Sequence, residues 1–445
     1  MEASVQEVTK GFTRRAVEEL SYRRHEPDWV REKRIEAWSA YETIPMPVRT
    51  DEEWRRTDIR RLPVDDVAPF AGLRGKVSGL SDLPESVGST LGDPTLRAGI
   101  NIQIDGATVY TQLSDDLTAQ GVIFTDMETA IAQHPDLVKR YFMTDCVPAN
   151  DNKFAALNGA FWSGGTFVYV PKNVHADLPL RTHVYASVAG SAIFPHTLIV
   201  AEEGSSVVVV DSWSSETSEE PVIASGVIEM FAGEATRVRY VQIQNWGRNV
   251  WNFTDQRALL SQDSQLSSLN VALGSRLSKS LISGNLVGPG ASAEMLGLYF
   301  ADEKQHLDHQ TRQMHISPYG TSDLLFKGAI KDRARTVYSG LIKVFPNAQR
   351  TDAYQANRNL VLSRTARADT IPNLEIAAND VRCTHGATVG QVEEEYIFYL
   401  MSRGINRTEA VKLIVDGFFD EVIERVPVHE VQAEVRAAIA RKIGL

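Results

Sequence analysis

The strongest constraint on this chain is a turn that keeps returning. Between residues 154 and 390, small-residue turns with similar followers recur at Gly204-Ser-Ser-Val, Gly233-Glu-Ala-Thr, Asp263-Ser-Gln-Leu, Gly290-Ala-Ser-Ala and Gly320-Thr-Ser-Asp, about 27 to 30 residues apart. The runs around them read as strands: Thr166–Val170, Ala192–Val200, Ser206–Val210, Val222–Phe231, Arg237–Ile243, Leu266–Val271 and Ala293–Phe300, each bounded by Gly, Ser, Asn or Asp. Two or three short strands plus turns need about that many residues, which is one coil of a stacked repeat. A β-sandwich also gives regularly spaced strands. The period favours a parallel β-helix or a similar solenoid. Each coil of such a fold is stabilised by its neighbours, so its two ends need covering. The helical segments before and after the strands are expected to act as caps, and the long sides to carry strand edges open to another copy or a paralogue.

The flanks fit this plan. Residues 1–95 read as an N-terminal helical region and a linker. Phe12, Val17 and Leu20 form one weak stripe, Ile35 and Trp38 continue after Pro27, and residues 63–95 are rich in Pro, Gly and Ser. The β core is expected over residues 96–390, with a helical interlude at about 122–145. From 391 to 445 the spacing turns helical. Gly404 suits a left-handed C-cap, and Asn406 with Glu409 reads as a capping box. Ala410, Leu413, Ile414, Gly417, Phe418, Glu421 and Val422 are expected on one face of the second helix. Pro427 is expected to open the third, with Val428, Val431, Val435 and Ile439 as its stripe. The pair Phe418-Phe419 is more apolar surface than one stripe hides, so one of the two is expected to face a partner.

Charge and cysteine content narrow the class. With 57 acidic and 46 basic residues the formal charge is −11, which argues against non-specific nucleic-acid binding. Two cysteines, Cys146 and Cys383, cannot build a disulfide framework. The first twenty residues lack the apolar core of a signal peptide, and no stretch reaches the roughly 20 apolar residues of a membrane span. A cytoplasmic protein is expected.

Several local patterns invite a functional reading. Trp54 beside Arg55 and Arg56 suggests a nucleotide or RNA contact, but a Trp packed under arginines that pair with Asp51 and Glu52 is the simpler account. Asn158–Thr166, NGAFWSGGT, has the glycine density of a phosphate loop without its Gly-Lys-Ser/Thr end, so it reads as a turn between strands and no nucleotide site is expected. Along a strand, His309 and His315 point one way and His306 and Asp308 the other, so these residues do not converge on a metal. Cys383-Thr384-His385 differs. In a strand its thiol and imidazole face the same way, and together they suit iron, zinc or copper(I). One chain supplies only two such ligands, and a half-buried cysteine beside a surface histidine accounts for the same pattern.

The run CTHGATVGQVEEEYIFYLMSRGI (Cys383–Ile405) resembles the C-terminal signature of the SufB/SufD scaffold subunits of iron–sulfur cluster assembly. EEWRRTDIRRL (Glu52–Leu62), NDNKFAALNGAFWSGGTFVYVPKNV (Asn150–Val174) and DHQTRQMHISPYGTSDLLFKGAIKDRARTVYSGLI (Asp308–Ile342) extend the resemblance over nearly the whole chain, in the family's order. It implies a mainly β fold: a right-handed parallel β-helix between helical N- and C-terminal regions. It also implies a non-catalytic scaffold that pairs through its β-helix with a SufB-like paralogue or a second copy. The C-terminal helices would bind a SufC-type ABC ATPase, with Leu413, Ile414, Phe418, Phe419 and Val422 as candidate docking residues. Iron or a nascent iron–sulfur cluster would sit transiently at the subunit interface, and the histidine of the family's C-S-H-G-A-T run falls on His385. Cys383 is the second candidate ligand. The sequence departs from SufB where that subunit has a cysteine, here Asn357, and a glutamate, here Gly386. Those departures place it nearer SufD. The competing readings are a β-helix carbohydrate-active enzyme using carboxylates such as Asp308 and Asp323, and a purely structural solenoid.

Overall fold

The computed structural model describes residues 10–443 apart from 71–74, 78, 89–90 and 427. Pro427, expected to open the last helix, therefore lies outside the described residues, as do the first nine residues of the expected N-terminal helices.

The recurrent turns are the corners of a parallel β-solenoid. At one corner of successive coils a residue takes the left-handed conformation: Asn173, Gly204, Ala235, Asp263, Gly290, Tyr319 and Arg350, with φ between 54° and 72°. The corners hydrogen-bond to one another up the stack. Gly204 N–H donates to Glu234 C=O at 2.8 Å, Asp263 to Pro289 at 3.0 Å, Gly290 to Pro318 at 3.1 Å and Tyr319 to Gln349 at 2.9 Å. Between corners the strands form two ten-stranded sheets. The first runs from Ala107–Leu113 at one edge to Arg382–Gln391 at the other, and the second from Ile123–Thr125 to Arg367–Ile376. Pairing is parallel throughout, except that each sheet begins with an antiparallel strand. Six of the seven strand runs expected from the sequence lie within single strands, and the seventh, Ala192–Val200, is split at Phe194-Pro195 into Ala192–Ile193 and His196–Ala201.

Inward-facing residues fill the lumen, among them Trp213, Tyr240, Tyr299, Phe326 and Tyr338, all buried. Helices cover the outer faces. On the second sheet sit α1 (Arg14–Arg23), α2 (Asp28–Thr43) and α3 (Lys153–Phe161), packed through Val17, Val30, Trp38, Phe154 and Phe161. NGAFWSGGT is therefore not a turn between strands. Its first half is the last turn of α3, and Gly164 and Gly165 (φ 72° and 80°) swing the chain into strand Thr166–Val170. Side chains at those two glycines would strike Gln103 and the His196 carbonyl within 2.7 Å.

The tail has three helices, α4 (Glu394–Ser402), α5 (Arg407–Ile423) and α6 (His429–Ile443). Gly404 is left-handed (φ 89°), and the Asn406 side chain accepts from Glu409 N–H at 2.9 Å, as their positions predict. Two expectations need correction. The tail does not cap the end of the solenoid: α5 and α6 lie along the outer face of the first sheet, with Val415, Phe419, Val422, Val435 and Ile439 against Val271, Leu296, Leu298 and Leu325. The buried face of α5 is also rotated from the one expected. It holds Ala410, Val415, Phe419, Val422 and Ile423, while Leu413 is outside. The sheet, rather than a neighbouring helix, selects which side turns in. Charges then pin the tail. Arg425 pairs with Glu294 and Asp323, Lys327 and Arg358 with Glu421, and Lys442 donates to Phe300 C=O at 2.6 Å and Gln305 Oε1 at 2.7 Å.

His309 stacks on Tyr299 in the lumen with ring centroids 4.7 Å apart, and burial lowers its pKa to about 4. A folded-state value below the ordinary one means that the unfolded chain binds the proton first. Stability is then lost as pH falls from about 6.5 towards 4. We expect His309→Phe to flatten the acid limb of a melting-temperature profile, recovering about 2 kcal/mol between pH 7 and pH 5 relative to the parent.

Candidate functional site

The ladder of coils ends abruptly. Strands Arg367–Ile376 and Arg382–Gln391 each pair on one side only, with Arg335–Val344 and Asp352–Val361. In the penultimate coil Ala353, Gln355, Asn357 and Asn359 are buried in the lumen. The parallel register places Cys383 over Ala353, His385 over Gln355, Ala387 over Asn357 and Val389 over Asn359. On the other strand Thr370, Pro372, Leu374 and Ile376 follow Tyr338, Gly340, Ile342 and Val344 in the same way. The open end is thus a lumen surface laid bare. Ile376 and Val389 are 42% and 48% exposed, apolar groups that one more coil would bury. Unpaired strand edges accordingly lie at this end of the solenoid, not along its sides as the sequence reading had it.

Cys383 and His385 share that surface, as strand alternation requires. Cys383 is half-buried on Ile342, Val344, Ala348 and Ala353, and desolvation, with the Asp352 charge behind it, raises its thiol pKa. His385 is exposed. Beneath it Gln355 is fully buried with neither amide atom hydrogen-bonded, in space that exists because Gly340 has no side chain; a Cβ there would lie 2.3 Å from Gln355 Nε2. An unsatisfied buried amide is costly and marks a site where something is incomplete. Among the described residues no three His, Cys, Asp or Glu side chains converge on one point. One chain therefore offers two soft donors side by side, half of a tetrahedral set.

The remaining candidates resolve into structure. His306 and Asp308 face outward, both bonded to Thr57 Oγ1, and Asp308 also pairs with Lys279 at 2.7 Å. His309 and His315 face the lumen, where His315 Nε2 lies 2.8 Å from Ser322 Oγ. Trp54 is not sheltered by Arg55 and Arg56. It packs on Phe154 and Phe253, with Lys279 Nζ 4.7 Å from its ring, and Glu53 pairs with Arg312. The Glu52–Leu62 run is thus a strap across the second sheet. Asp308 and Asp323 stand on different sheets, in separate ion pairs, and form no paired-carboxylate site. Asn357 donates to Tyr299 Oη at 3.0 Å and Phe326 C=O at 3.2 Å inside the lumen.

The tail residues divide. Phe419 and Val422 are buried against the solenoid and Phe418 and Ile414 are half-buried, so only Leu413, 50% exposed, presents a full apolar surface. A larger one lies on α4. Tyr396, Phe398, Tyr399 and Met401 are all exposed, Phe398 at 73%, while Ile397 alone is buried. Sequence reasoning missed this face, although the run YIFYLM carries more apolar residues than one helical stripe accommodates. No helix among the described residues is long and apolar enough to cross a membrane.

Comparison with known proteins points one way. Residues 183–418 match the family model described as SUF system FeS cluster assembly, SufBD core domain, and residues 92–182 match the SufBD protein N-terminal region. An iron–sulfur cluster assembly SufBD family protein of Staphylococcus saprophyticus is 33% identical over 426 residues, covering 94% of this chain and 90% of the relative. Proteins of the same description from Staphylococcus haemolyticus and Staphylococcus aureus are 32% identical with the same coverage.

The two thiols differ in exposure, and this gives a direct check on the open end. Cys146 is fully buried and Cys383 is not. In the native chain an excess of an aromatic disulfide reagent is expected to modify one thiol, with a rate that goes on rising above the pH at which a free cysteine levels off, because the Cys383 pKa is raised. Cys383→Ser should abolish the reaction.

Proposed function

Because this chain belongs to the SufBD family of iron–sulfur cluster assembly proteins, we propose that it is a SufD-like scaffold subunit whose unfinished last coil is completed by a mate. The observation that carries this reading is the bare end of both sheets, with Cys383 and His385 on the exposed lumen face. A SufB-like paralogue or a second copy would pair edge to edge with strands Arg367–Ile376 and Arg382–Gln391, burying Ile376 and Val389. The mate would add the ligands that one chain lacks. Iron or a nascent cluster would be cargo held between the two, on Cys383, His385 and donors of the mate. With Asn357 and Gly386 where SufB has a cysteine and a glutamate, this subunit would assist assembly and iron supply rather than build a cluster alone.

No catalytic residue is assigned, and ATP hydrolysis would come from a SufC-type ATPase in the cytoplasm. For its dock the exposed surfaces favour α4, through Phe398 and Tyr399, together with Leu413 on α5. Phe419 and Val422, buried on the first sheet, would act indirectly by holding α5 in place. Arg425, through Glu294 and Asp323, and Glu421, through Lys327 and Arg358, tie that bundle to three successive strands of the first sheet, so force on the tail would be felt by the solenoid.

Co-purification with a SufC-type ATPase tests the dock. The parent chain should form a stable complex, and Phe398→Asp with Leu413→Asp should weaken it at least about a hundredfold, the scale of a central apolar anchor. Equal binding by the double variant would place the dock elsewhere, and no complex with the parent would remove the ATPase from the account.

A further inference from the structure

A second site lies under the strap, lined by none of the residues of the last coil. A cavity of about 200 Å³ is enclosed between the strap, the start of α3 and the outer face of the second sheet. Its walls are flat and aromatic. Phe154 and Phe253 stack face to face at 3.6 Å, and Trp54 leans on both, with centroids at 5.6 and 6.2 Å. Asp255 projects from the sheet into this space between the strap and α3. Its Oδ2 accepts from Asn152 Nδ2 at 2.9 Å and lies 3.4 Å from Arg257, but its Oδ1 is buried with no partner. The residue is only 5% exposed. Burial raises its pKa to about 6, against the opposing pull of Arg257. A buried carboxyl oxygen without a donor requires an explanation.

The lining also fixes the charge of what would fit. Lys153, Lys279 and Arg312 balance Glu53, Asp151 and Asp255. Lys279 and Arg312 oppose a cationic amine, while Glu53 and Asp151 oppose an anion. Flat walls favour a flat ligand, and the volume takes one two-ring system, below the usual range for larger ligands. The open oxygen calls for an N–H, and an amino group on an uncharged aromatic ring supplies one.

We propose that this cavity binds a small, uncharged, planar N-heterocycle of the aminopurine or aminopyrimidine class, stacked on Trp54 and hydrogen-bonded to Asp255. The site is independent of the scaffold reading, since neither the open end nor the tail contributes to it.

The probe is 2-aminopurine, whose emission is quenched on stacking, titrated into the full chain. Saturable quenching is expected, weakened at least about tenfold in Asp255→Leu, as for the loss of one hydrogen bond to a carboxyl, and likewise in Trp54→Leu. Competition in the unmodified protein keeps the test open if a variant misfolds: adenine should displace the probe and benzylamine should not. No saturable quenching, or binding unchanged in both folded variants, would overturn the site. Displacement by benzylamine as readily as by adenine would overturn the ligand class.

Discussion

Everything in this molecule depends on the hydrogen bonds that one coil lends the next. A parallel strand leaves half of its N–H and C=O groups pointing at each neighbour, and a buried backbone group left unpaired is costly. From strand Gly99–Ile104 onward each coil of the first sheet satisfies the one before it. The same rule makes the last coil a problem. At the other end both sheets finish on a strand that reverses direction, and on Ala107–Leu113 the loop amide of Val77 donates to Val109 C=O at 2.9 Å. At the C-terminal end the chain instead leaves the stack at Gln391 and turns into helix. The open edge is therefore a consequence of the architecture, and Cys383 and His385 come with it.

The helices brace the outside. The second sheet is covered by the N-terminal helices and the strap, the first by the tail. Covering explains why outward residues in mid-solenoid, such as Leu296, Leu298 and Leu325, are as buried as those of the lumen. It also explains why strand Arg382–Gln391, beyond that packing, is exposed along most of its length, while Arg367–Ile376, beside the strap, stays half-buried from Ala368 to Pro372.

The coil period was legible because left-handed corners favour small residues, and Gly204, Asp263 and Gly290 occupy those corners. Where Ala235 and Tyr319 take the left-handed role, the sequence shows the adjacent Gly233 and Gly320 instead, so the signal slips by a residue or two while the period survives. The shared orientation of Cys383 and His385, and the opposed orientations of His306 and His309, follow from strand alternation alone. What could not be read was which surfaces meet. The α5 pattern admits more than one inner face, and only the sheet beneath it chooses Phe419 over Leu413. The tail's path along the side, and with it the bare end, is set by long-range packing that no local spacing encodes. Gln355 and Asp255 are ordinary polar residues in sequence, and only the burial of their unpartnered atoms singles them out.

The central claim is that another molecule completes the last coil. Amide hydrogen exchange on the chain alone and on its assembly with a SufB-like partner tests it most directly, read on the peptides covering 367–376 and 382–391. The account predicts fast exchange in both strands of the lone chain and slowing of about a hundredfold or more on assembly, as edge amides gain partners. An assembled complex in which those two strands exchange as fast as in the lone chain would contradict it.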